Sequence, residues 1–511
     1  MRVFSFLPWG YEGRLVRVEV DIRKGLPGME IVGFAGTAVR EARERIRVAL
    51  KNSGFVFPQK RVLVNLAPAG LPKKGAWYDL AIALALLVAS EQLDAADRDV
   101  LVMGELCLSG EVLPVEGVLS SVIAASSADV GLCVVPHNNV REASVVEGVR
   151  VFGVESLCDA VSVAERGFLP ENEALIDRGD VRSVAWPHDF SAFKGQAFLR
   201  RAMEVAAAGG HHMFLFGPPG CGKTMASYAF PSILPPLTES ERLSVLQVYS
   251  LAGELSIDGE RVFSGMRPFR APHHSATVEG MIGGGRDVRP GEISLAHNGV
   301  LFMDEAPEFR SAIMQSLREP VETGRVTLSR AGQSFWYPAR FQLILAANPC
   351  PCGNLGKEDA ICACSVQEIK RYWRRIGAPL LDRIDIRFPV KPEDTEVILG
   401  GEAESSTSIR KRVMRAWQIQ KERYAGRSHT RNAYIPAEDI DKFCVTSEAV
   451  RSVLVRAVEK LALSARANAS ILKLARTIAD LDASSEIKKE HVLEAVQYRR
   501  YGDMDFYWSD I

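Results

Sequence analysis

The 511-residue chain lacks a surplus of either charge, since 62 lysines and arginines face 63 aspartates and glutamates. A nearly neutral total excludes a uniformly basic protein, so any nucleic-acid surface must be local. Long apolar runs are also missing, and the longest, Leu80 to Ala89, has about half the length of a membrane span and predicts a core helix. Because no secretory signal follows Met1 either, the sequence predicts a cytoplasmic protein without a membrane partner.

Cysteine is sparse as well, with nine residues in the whole chain. Without a secretory signal, these thiols indicate a reducing compartment, where clustered cysteines bind metal more often than they form disulfides. Hydrophobic residues, in contrast, make up 47% of the sequence, which is enough to bury more than one core. The length predicts about three domains.

A glycine-rich motif at 217–224, GPPGCGKT, follows an apolar run at 212–216. A strand, a glycine-rich turn and a helix in this order are typical of a P-loop, in which backbone N–H groups surround a phosphate. The predicted nucleotide-binding residues are Gly217, Pro218, Pro219, Gly220, Cys221, Gly222, Lys223 and Thr224. Lys223 is expected to reach the β- and γ-phosphates of ATP, and Thr224 to ligate Mg²⁺.

Two further apolar runs end in polar residues. The run Gly299 to Met303 leads into Asp304 and Glu305, which suit Mg²⁺ binding and activation of the attacking water. The run Phe341 to Ala347 ends in Asn348. Because ligands of open α/β sheets bind beyond the carboxyl ends of the strands, the three strand ends are expected to converge on one γ-phosphate. The arrangement predicts ATP hydrolysis.

Composition divides the chain into four parts: an α/β or α+β region at 1–165, a polar linker at 166–187, a nucleotide-binding core at 188–395 and a helical region at 396–511. Short β-branched runs alternate with helical patterns in the first region. In the last region, helices are expected at Ser447 to Lys460, Ala469 to Leu481 and Lys488 to Arg500. A helical lid behind a P-loop core is the expected architecture of a AAA+ ATPase.

Several longer strings resemble one family. They are FRAPHHSATVEGMIGGG, PGEISLAHNGVLFMDEAPEF, LREPVETGRVTLSRAG, ANPCPCG, LLDRIDI and LKLARTIADL. Together they look like the competence-associated magnesium-chelatase-like proteins of the ComM/YifB family, over residues 2–501. The resemblance implies a hexameric AAA+ ring of the helix-2-insert type that binds ATP and Mg²⁺. It further implies a DNA helicase that drives branch migration in recombination and natural transformation, with branched or single-stranded DNA as its partner.

The resemblance also implies the arginines of a second half-site. Arg383 in LLDRIDI matches the arginine finger, and Arg466 in LSARA matches the sensor-2 arginine at the start of a lid helix. A finger that acts on a neighbouring subunit requires a head-to-tail contact, which closes into a ring if the rotation permits. From the residues alone, Arg383 would instead pair with Asp382 or Asp385 on a solvated turn.

Two segments of the core are candidates for contact with DNA. The residues 325–337 predict a β-hairpin, which matches the hairpin found before the Asn348 strand in the clade. The loop 277–290 contains three consecutive glycines and suits a mobile insert that faces a ring pore. The arginines of these segments, Arg286, Arg289 and Arg330, either contact phosphates or lie on exposed turns.

A basic helix is predicted at 410–423. Its apolar positions predict one buried stripe, so about half of its charge is expected on a solvated face. The exposed cations could attract DNA or any other polyanion. Trp417 either packs against the core or stacks on a base.

Four thiols cluster at Cys350, Cys352, Cys362 and Cys364. Two close pairs of thiolates can converge on one ion, which predicts a tetrahedral zinc site, and the family shows the same arrangement. An iron–sulfur cluster and unligated thiols are the alternatives. The adjacent His273 and His274 are interpreted as structural and are not counted as ligands.

The N-terminal region is similar to the Lon protease catalytic domain and to domain 2 of ribosomal protein S5. Peptide cleavage would require a serine and a lysine, but the matching positions hold Trp77 and Ser121. The region is therefore expected to be a non-catalytic relative. Lys73 and Lys74 are expected in a solvated loop, with contact to DNA as the alternative.

The predicted function is that of an ATP-driven ring motor on branched DNA. The alternative is a AAA+ remodeller of a protein or metal-chelatase partner, whose pore loops grip peptide. An active ATP-dependent protease is disfavoured by Trp77 and Ser121.

Overall fold

The computed structural model describes residues 1–33, 36–94, 97–166, 186–285, 287–330, 332–355, 357, 360–393, 403–427, 429–461 and 463–499. Most of the predicted linker at 166–187, the predicted boundary between 395 and 396, and Arg286 lie outside the described residues.

Strands and helices alternate through most of the described chain. The strands are β1 Arg2–Trp9, β2 Glu12–Arg23, β3 Gly28–Val32, β4 Arg61–Ala67, β5 Asp99–Val102, β6 Glu105–Leu106, β7 Val112–Leu113, β8 Leu132–Pro136, β9 Arg150–Val154, β10 Met213–Phe216, β11 Phe269–Arg270, β12 Gly283–Gly284, β13 Arg289–Pro290, β14 Val300–Met303, β15 Arg325–Arg330, β16 Gln333–Pro338, β17 Gln342–Ala347 and β18 Ile386–Pro389. The α-helices are Thr37–Asn52, Asp79–Ala89, Val118–Ser127, Val140–Ala143, Leu157–Arg166, Ala197–Gly209, Lys223–Ala229, Glu239–Ala252, Leu255–Phe263, Val278–Ile282, Glu292–Leu295, Ser311–Ser316, Arg318–Thr323, Val366–Arg374, Ala378–Leu381, Ser406–Arg423, Ile440–Phe443, Glu448–Lys460, Ala465–Leu481 and Lys489–Arg499.

The N-terminal region forms a mixed seven-stranded sheet in the order β3-β4-β2-β1-β5-β8-β9. Its strand β4 alternates inward Val62, Val64 and Leu66 with more exposed residues, as expected for a sheet with one buried face. The helix Asp79–Ala89 is buried along nearly its whole length. The prediction of a core helix in this run is therefore confirmed.

The nucleotide-binding region is built on a parallel five-stranded sheet in the order β11-β14-β17-β10-β18. The strands β10, β14 and β17 are entirely buried, because parallel strands covered by helices on both faces carry continuous apolar runs. Alternate residues of β10 point to opposite faces: Phe214 joins one hydrophobic cluster and Leu215 the other. The fold is therefore mixed α/β with a parallel-sheet core.

The helices that follow the core cover the face to which Leu215 points. The predicted C-terminal helices occur at Glu448–Lys460, Ala465–Leu481 and Lys489–Arg499. The second begins four residues earlier than predicted, because Ser464 caps it by accepting a hydrogen bond from the Ala467 backbone N–H.

The predicted hairpin is formed by β15 and β16, and it packs against the N-terminal sheet. The backbone N–H of Tyr11 donates to the Trp336 carbonyl oxygen at 2.9 Å, and the rings of Trp9 and Phe335 are 4.9 Å apart. Gly10 permits this approach, because it has a φ of +65° and a Cβ there would lie 3.0 Å from the Trp336 carbonyl oxygen. The hairpin therefore connects the N-terminal region to the core.

The prediction of a solvated loop is wrong for Lys73. Its side chain is buried and its ammonium donates to the Pro68 carbonyl oxygen, and burial lowers the pKa of Lys73. The backbone at this position is also paired, since the Lys73 carbonyl oxygen accepts a hydrogen bond from the Gly36 N–H at 2.8 Å. Lys74 is half-exposed and lies 3.6 Å from Asp287.

Candidate nucleotide site and arginine cavity

The glycine-rich loop follows β10 and leads into the helix Lys223–Ala229. Gly220 and Gly222 have φ values of +86° and +90°, in the region that side chains other than glycine rarely adopt. A Cβ on Gly217 would lie 2.1 Å from the Val390 carbonyl oxygen. The glycines are therefore required for the path of the loop, and the loop opens towards the carboxyl end of the sheet.

Lys223 is buried although its side chain is charged. Its ammonium donates to the carbonyl oxygens of Gly217 and Pro218, at 2.7 and 2.9 Å, and to Asn348 Oδ1 at 3.4 Å. All these acceptors are neutral, and burial lowers the pKa of Lys223. A buried ammonium with neutral partners favours an added anion such as a phosphate.

Thr224 and Asp304 form a pair that fits a magnesium ion. Thr224 Oγ1 donates to Asp304 Oδ2 at 2.8 Å. Ligands about 2.1 Å from an octahedral Mg²⁺ are about 3.0 Å apart along an edge. The hydroxyl and the carboxylate therefore have nearly the separation of two adjacent Mg²⁺ ligands.

Glu305 follows β14 with its backbone in the left-handed region, at a φ of 51°. Its N–H donates to Asp304 Oδ1 at 2.9 Å, and its carbonyl oxygen accepts from the Glu308 N–H at 2.7 Å. The carboxylate is about half exposed and lies 3.4 Å from His274 Nδ1. The interpretation of His274 as merely structural missed this contact.

One cavity of about 620 Å³ brings the predicted nucleotide residues together. Its lining includes Lys223, Thr224, Asp304, Glu305 and Asn348, so the three strand ends do converge as predicted. The lining residues that sequence reasoning missed include Phe193, Gln196 and Glu393. Gln196 N donates to Glu393 Oε1 at 2.8 Å, a contact across nearly 200 residues that no local motif signals.

Arg383 and Arg466 lie together in a second cavity, of about 710 Å³. Both donate to the same carboxylate: Arg383 Nη2 is 2.7 Å from Glu322 Oε2, and Arg466 Nη2 is 2.5 Å from Glu322 Oε1. Hydrogen bonding from Arg383, and then from Arg466, holds the pKa of Glu322 below its ordinary value. The pairing of Arg383 with Asp382 or Asp385, expected from the residues alone, is not the one observed, since the long-range carboxylate of Glu322 is the partner.

The two cavities lie at opposite ends of the sheet and share no lining residue. The arginine cavity includes His212, Phe341 and Asp385, which precede β10, β17 and β18. The nucleotide cavity is lined by residues that follow β10, β14 and β17. Because β10 and its flanking residues extend roughly 16 Å, Arg383 does not reach the nucleotide cavity of its own chain.

The four predicted cysteines form one cluster in which all Sγ atoms lie within 4.8 Å of one another. Three of the Sγ separations are 3.3, 3.6 and 3.7 Å, and thiolates about 2.3 Å from a tetrahedral ion lie about 3.8 Å apart. The Asn354 N–H lowers the pKa of the Cys352 thiol to about 6. This geometry fits one ion better than an iron–sulfur cluster, in which the four thiolates are divided among two or four irons.

Some of the candidate DNA-contacting cations already have partners. Arg289 lies 2.7 Å from Glu116 of the N-terminal sheet, and Arg412 of the basic helix contacts Glu204 and Glu404. Arg330 is exposed at the tip of the hairpin. Trp417 is half-buried, with the Lys421 ammonium 5.6 Å from its ring centroid.

Comparison with known proteins covers nearly the whole chain. Three family models match it: "Magnesium chelatase, subunit ChlI" at 189–398, "Subunit ChlI of Mg-chelatase" at 18–139 and "Magnesium chelatase, subunit ChlI C-terminal" at 403–499. The competence protein ComM of Haemophilus influenzae is 39% identical over 504 residues, which cover 97% of each chain. The chain belongs to the ComM/YifB family. The protein YifB of Escherichia coli K12, another relative, is 41% identical over 95% of this chain and 94% of its own.

A weaker similarity concerns the N-terminal region. The Lon protease of Geobacter metallireducens is 25% identical over 170 residues, which cover 31% of this chain and 20% of that protein. Trp77 Nε1 donates to the Phe6 carbonyl oxygen at 2.9 Å, and buried Ser121 donates to the Val118 carbonyl oxygen at 2.6 Å. Both side chains stabilise the local fold. Across the described part of the chain, no helix combines the length and apolarity needed to cross a membrane.

Proposed function

We propose that this chain is an ATP-hydrolysing ring motor that acts on branched DNA, as a branch-migration helicase in recombination and natural transformation. The observation that supports it most strongly is the division of the hydrolytic residues between opposite ends of one sheet. In each copy, the phosphate loop lies at one end of the sheet and the two arginines lie at the other end. Head-to-tail association of six copies would complete each site at an interface.

Each nucleotide residue has a distinct role in this proposal. The loop from Gly217 to Thr224 binds the phosphates of ATP, and Lys223 neutralises the β- and γ-phosphates. Thr224 and Asp304 would hold Mg²⁺, which supplies charge neutralisation between the two phosphates. Glu305 removes a proton from the attacking water, and Asn348 orients the γ-phosphate.

Arg383 and Arg466 act on the neighbour in this proposal. The γ-phosphate of the neighbouring subunit would replace Glu322 as the anionic partner of both guanidiniums. Such an exchange is chemically direct, because carboxylates and phosphates are both bound by guanidinium through charge-assisted hydrogen bonds. The arginines then stabilise the charge that develops on the transferred phosphoryl group.

The DNA substrate is supported by the named relative and by the exposed cations. ComM is named as a competence protein. Several exposed cations are available for phosphate contacts: Arg330 at the tip of the hairpin, and Arg410, Lys411 and Arg415 of the basic helix.

We also propose that Cys350, Cys352, Cys362 and Cys364 hold one zinc ion. The domains proposed are a non-catalytic Lon-like region at 1–165, a linker at 166–187, an ATPase core at 188–395 and a helical lid at 396–511.

The deciding experiment compares substrates. The purified protein is incubated with ATP and Mg²⁺, alone and with linear duplex, forked DNA or a four-way junction, and both ATP hydrolysis and strand displacement are followed. Stimulation by forked and four-way DNA, with ATP-dependent branch movement, is expected, and Lys223→Ala is the inactive control. Hydrolysis that responds to no DNA but to a protein partner would favour the remodeller instead.

A further inference from the structure

The turn that carries the first two cysteines packs directly against the phosphate loop. Gly353 follows Cys352 with a φ of +76°, and a Cβ at Gly353 would lie 3.2 Å from Pro219 Cδ. Pro219 belongs to the phosphate loop and lines the nucleotide cavity. Because packed atoms leave no space for independent movement, a displacement of Gly353 also displaces the loop that is proposed to bind ATP.

The chain is held on both sides of the cysteine cluster. On one side, the Trp373 ring N–H donates to the Pro349 carbonyl oxygen at 3.1 Å. On the other side, Ser365 caps the helix Val366–Arg374 and forms a capping box with Glu368. Since these flanking residues are fixed, a rearrangement of the thiols is taken up by the turns that carry the cysteines.

The four thiols differ in their exposure and surroundings. Cys352 is exposed, Cys362 and Cys364 are half-buried, and Cys350 is buried in a hydrophobic cluster of the core. The Sγ atoms of Cys352 and Cys362 are 3.7 Å apart, whereas a disulfide requires about 2.0 Å. Redox-sensing cysteines are exposed and lie next to a second thiol that completes the disulfide. Cys352 and Cys362 have this arrangement.

We propose that the cysteine cluster is a redox switch, in which hydrogen peroxide joins Cys352 to Cys362 and thereby weakens ATP binding and hydrolysis at the phosphate loop. The inference rests on the proposed ATPase and zinc site, and it adds a regulation that neither of them includes.

The oxidation proceeds in two steps. The Cys352 thiolate attacks one oxygen of the peroxide, so that an S–O bond forms, the O–O bond breaks and a hydroxide leaves. The Cys362 thiolate then attacks the sulfur of the resulting sulfenic acid, the S–S bond forms, the S–O bond breaks and a second hydroxide leaves. The two thiolates together lose two electrons, which the peroxide gains, and two protons from the solvent convert the hydroxides to water.

The disulfide changes both the metal site and the contact with Pro219. Two of the four thiolates are lost, and the remaining pair does not complete a tetrahedral zinc site, so the metal is released. The Sγ atoms of Cys352 and Cys362 approach from 3.7 Å to about 2.0 Å, which moves the adjacent Gly353 relative to Pro219. Because a misplacement of about 1 Å can cost about 10²-fold in rate, we expect kcat/KM for ATP to fall about 10- to 100-fold.

The test treats the zinc-loaded protein with hydrogen peroxide. Zinc release to a chromogenic chelator, the Cys352–Cys362 disulfide in peptides analysed by mass spectrometry, and binding of a fluorescent ATP analogue are followed together with ATP hydrolysis. All should change in parallel, and dithiothreitol with added zinc should restore the original values, because thiol exchange reverses the disulfide. Cys158→Ser, which lacks another exposed thiol, should respond as the wild type does.

A second variant separates the cluster from the other thiol near ATP. Cys221 lines the nucleotide cavity, so its direct oxidation would also impair ATP binding. Measured against its own untreated value, Cys221→Ser should lose as large a fraction of its ATP affinity as the wild type. A Cys221→Ser variant that resists peroxide would identify Cys221 as the sensor and overturn the inference.

Two other results would also overturn it: a cluster that forms no Cys352–Cys362 disulfide with peroxide, and a disulfide that leaves ATP affinity unchanged. The proposals on which the inference rests fail in different ways. Protein that is purified without metal, but still forms the disulfide and then binds ATP weakly, would refute the zinc site and leave the switch in place. A wild type that binds ATP without hydrolysing it would refute the ATPase, while the binding assay still decides on the switch.

Discussion

Charged side chains at the two ends of the core sheet have different kinds of partner. At the carboxyl end, the buried ammonium of Lys223 contacts neutral oxygens. At the amino end, several charged groups are matched within the chain: Arg267 contacts Glu241 at 2.8 Å, and Arg383 and Arg466 share Glu322. Burial alone would raise the pKa of Asp385, but hydrogen bonding from His211 holds it well below its ordinary value.

This difference favours nucleotide binding at the carboxyl end and a contribution of arginines from the amino end. A buried cation without an anionic partner is costly unless an anion binds, which favours ATP at the carboxyl end. The arginines at the amino end already have a carboxylate, and they can exchange it for a phosphate without a large change in charge.

The largest effect is expected at the amino end. Arg383→Ala should reduce kcat by about 10³- to 10⁵-fold, the contribution of an arginine finger to phosphoryl transfer, while nucleotide affinity stays near that of the wild type because the phosphate loop is intact. Steady-state hydrolysis and binding of a fluorescent ATP analogue measure the two quantities. Arg2→Ala, which breaks an exposed pair with Asp99 in the N-terminal sheet, is the control and should leave both unchanged.

Mixing two inactive variants tests whether the finger acts between chains. Arg383→Ala subunits combined with Lys223→Ala subunits should recover part of the hydrolysis, because an intact phosphate loop of one then faces an intact arginine of the other. If mixed rings form and hydrolysis stays at the level of the separate variants, Arg383 does not act in trans.

At the carboxyl end, two variants should distinguish the residue needed for ATP binding from the residue needed for ATP hydrolysis. Glu305→Gln is expected to lower kcat by about 10²- to 10⁴-fold, because proton removal is lost, and to retain ATP. Lys223→Ala is expected to lose ATP affinity, since a direct phosphate contact is removed. Equilibrium binding and single-turnover hydrolysis distinguish them. An equal loss of ATP binding in both variants would refute the roles assigned to these residues.

The carboxyl end was the more predictable from sequence, for a physical reason. Lys223, Thr224, Asp304 and Asn348 lie at or next to strand ends, and the continuous apolar runs of a buried parallel sheet identify those strands from local sequence. Parallel strands then bring their ends to one edge of the sheet. The hairpin and the C-terminal helices were predicted for a similar reason, since their periodicities are local.

The amino end was less predictable, because its contacts join distant parts of the chain. Glu322 is 61 residues from Arg383 and 144 from Arg466, and no spacing rule connects them. The same holds for Lys73, whose carbonyl oxygen accepts a hydrogen bond from the distant Gly36. It also holds for His274, which contacts Glu305 because β11 lies beside β14. Such contacts depend on strand order, which the sequence does not state.

A metal at the cysteine cluster should hold Asn348 in place at the carboxyl end of the sheet, because Cys350 lies two residues after Asn348. The purified wild type is expected to contain about one zinc ion per chain. Cys352→Ser should lose the metal and lower kcat by roughly 10- to 100-fold, through displacement of Asn348. Elemental analysis and ATPase rates measure both, and Cys158→Ser, which replaces another exposed cysteine, is the control. Absence of metal after purification without chelators, with all four thiols freely alkylated, would refute the zinc site.

The smallest effect is expected from a structural ion pair at the amino end. Glu241 accepts hydrogen bonds from Arg267 and from the Thr238 N–H. Burial alone would raise its pKa, but the charges of Arg267 and Arg431 lower the pKa of Glu241 to about 2, from an ordinary value of 4.5. Glu241→Gln keeps the shape and removes the charge, and at pH 7 it should destabilise the core by about 1–2 kcal/mol, less than for a fully buried pair because the carboxylate is partly exposed.

The pH dependence gives the sign of this contribution. A carboxyl whose pKa is lower in the folded state stabilises the protein fully above the unfolded pKa of 4.5, and the contribution disappears as the pH falls through about 2. The difference in Tm between the wild type and Glu241→Gln, followed by calorimetry, should therefore be constant above pH 5 and shrink as the pH falls below 4.5. Glu239→Gln, at an exposed position of the same helix, should show little difference at any pH. A difference between the wild type and Glu241→Gln that grows towards acid would mean that the charge of Glu241 opposes folding, and the amino end would then not be held together by its matched charges.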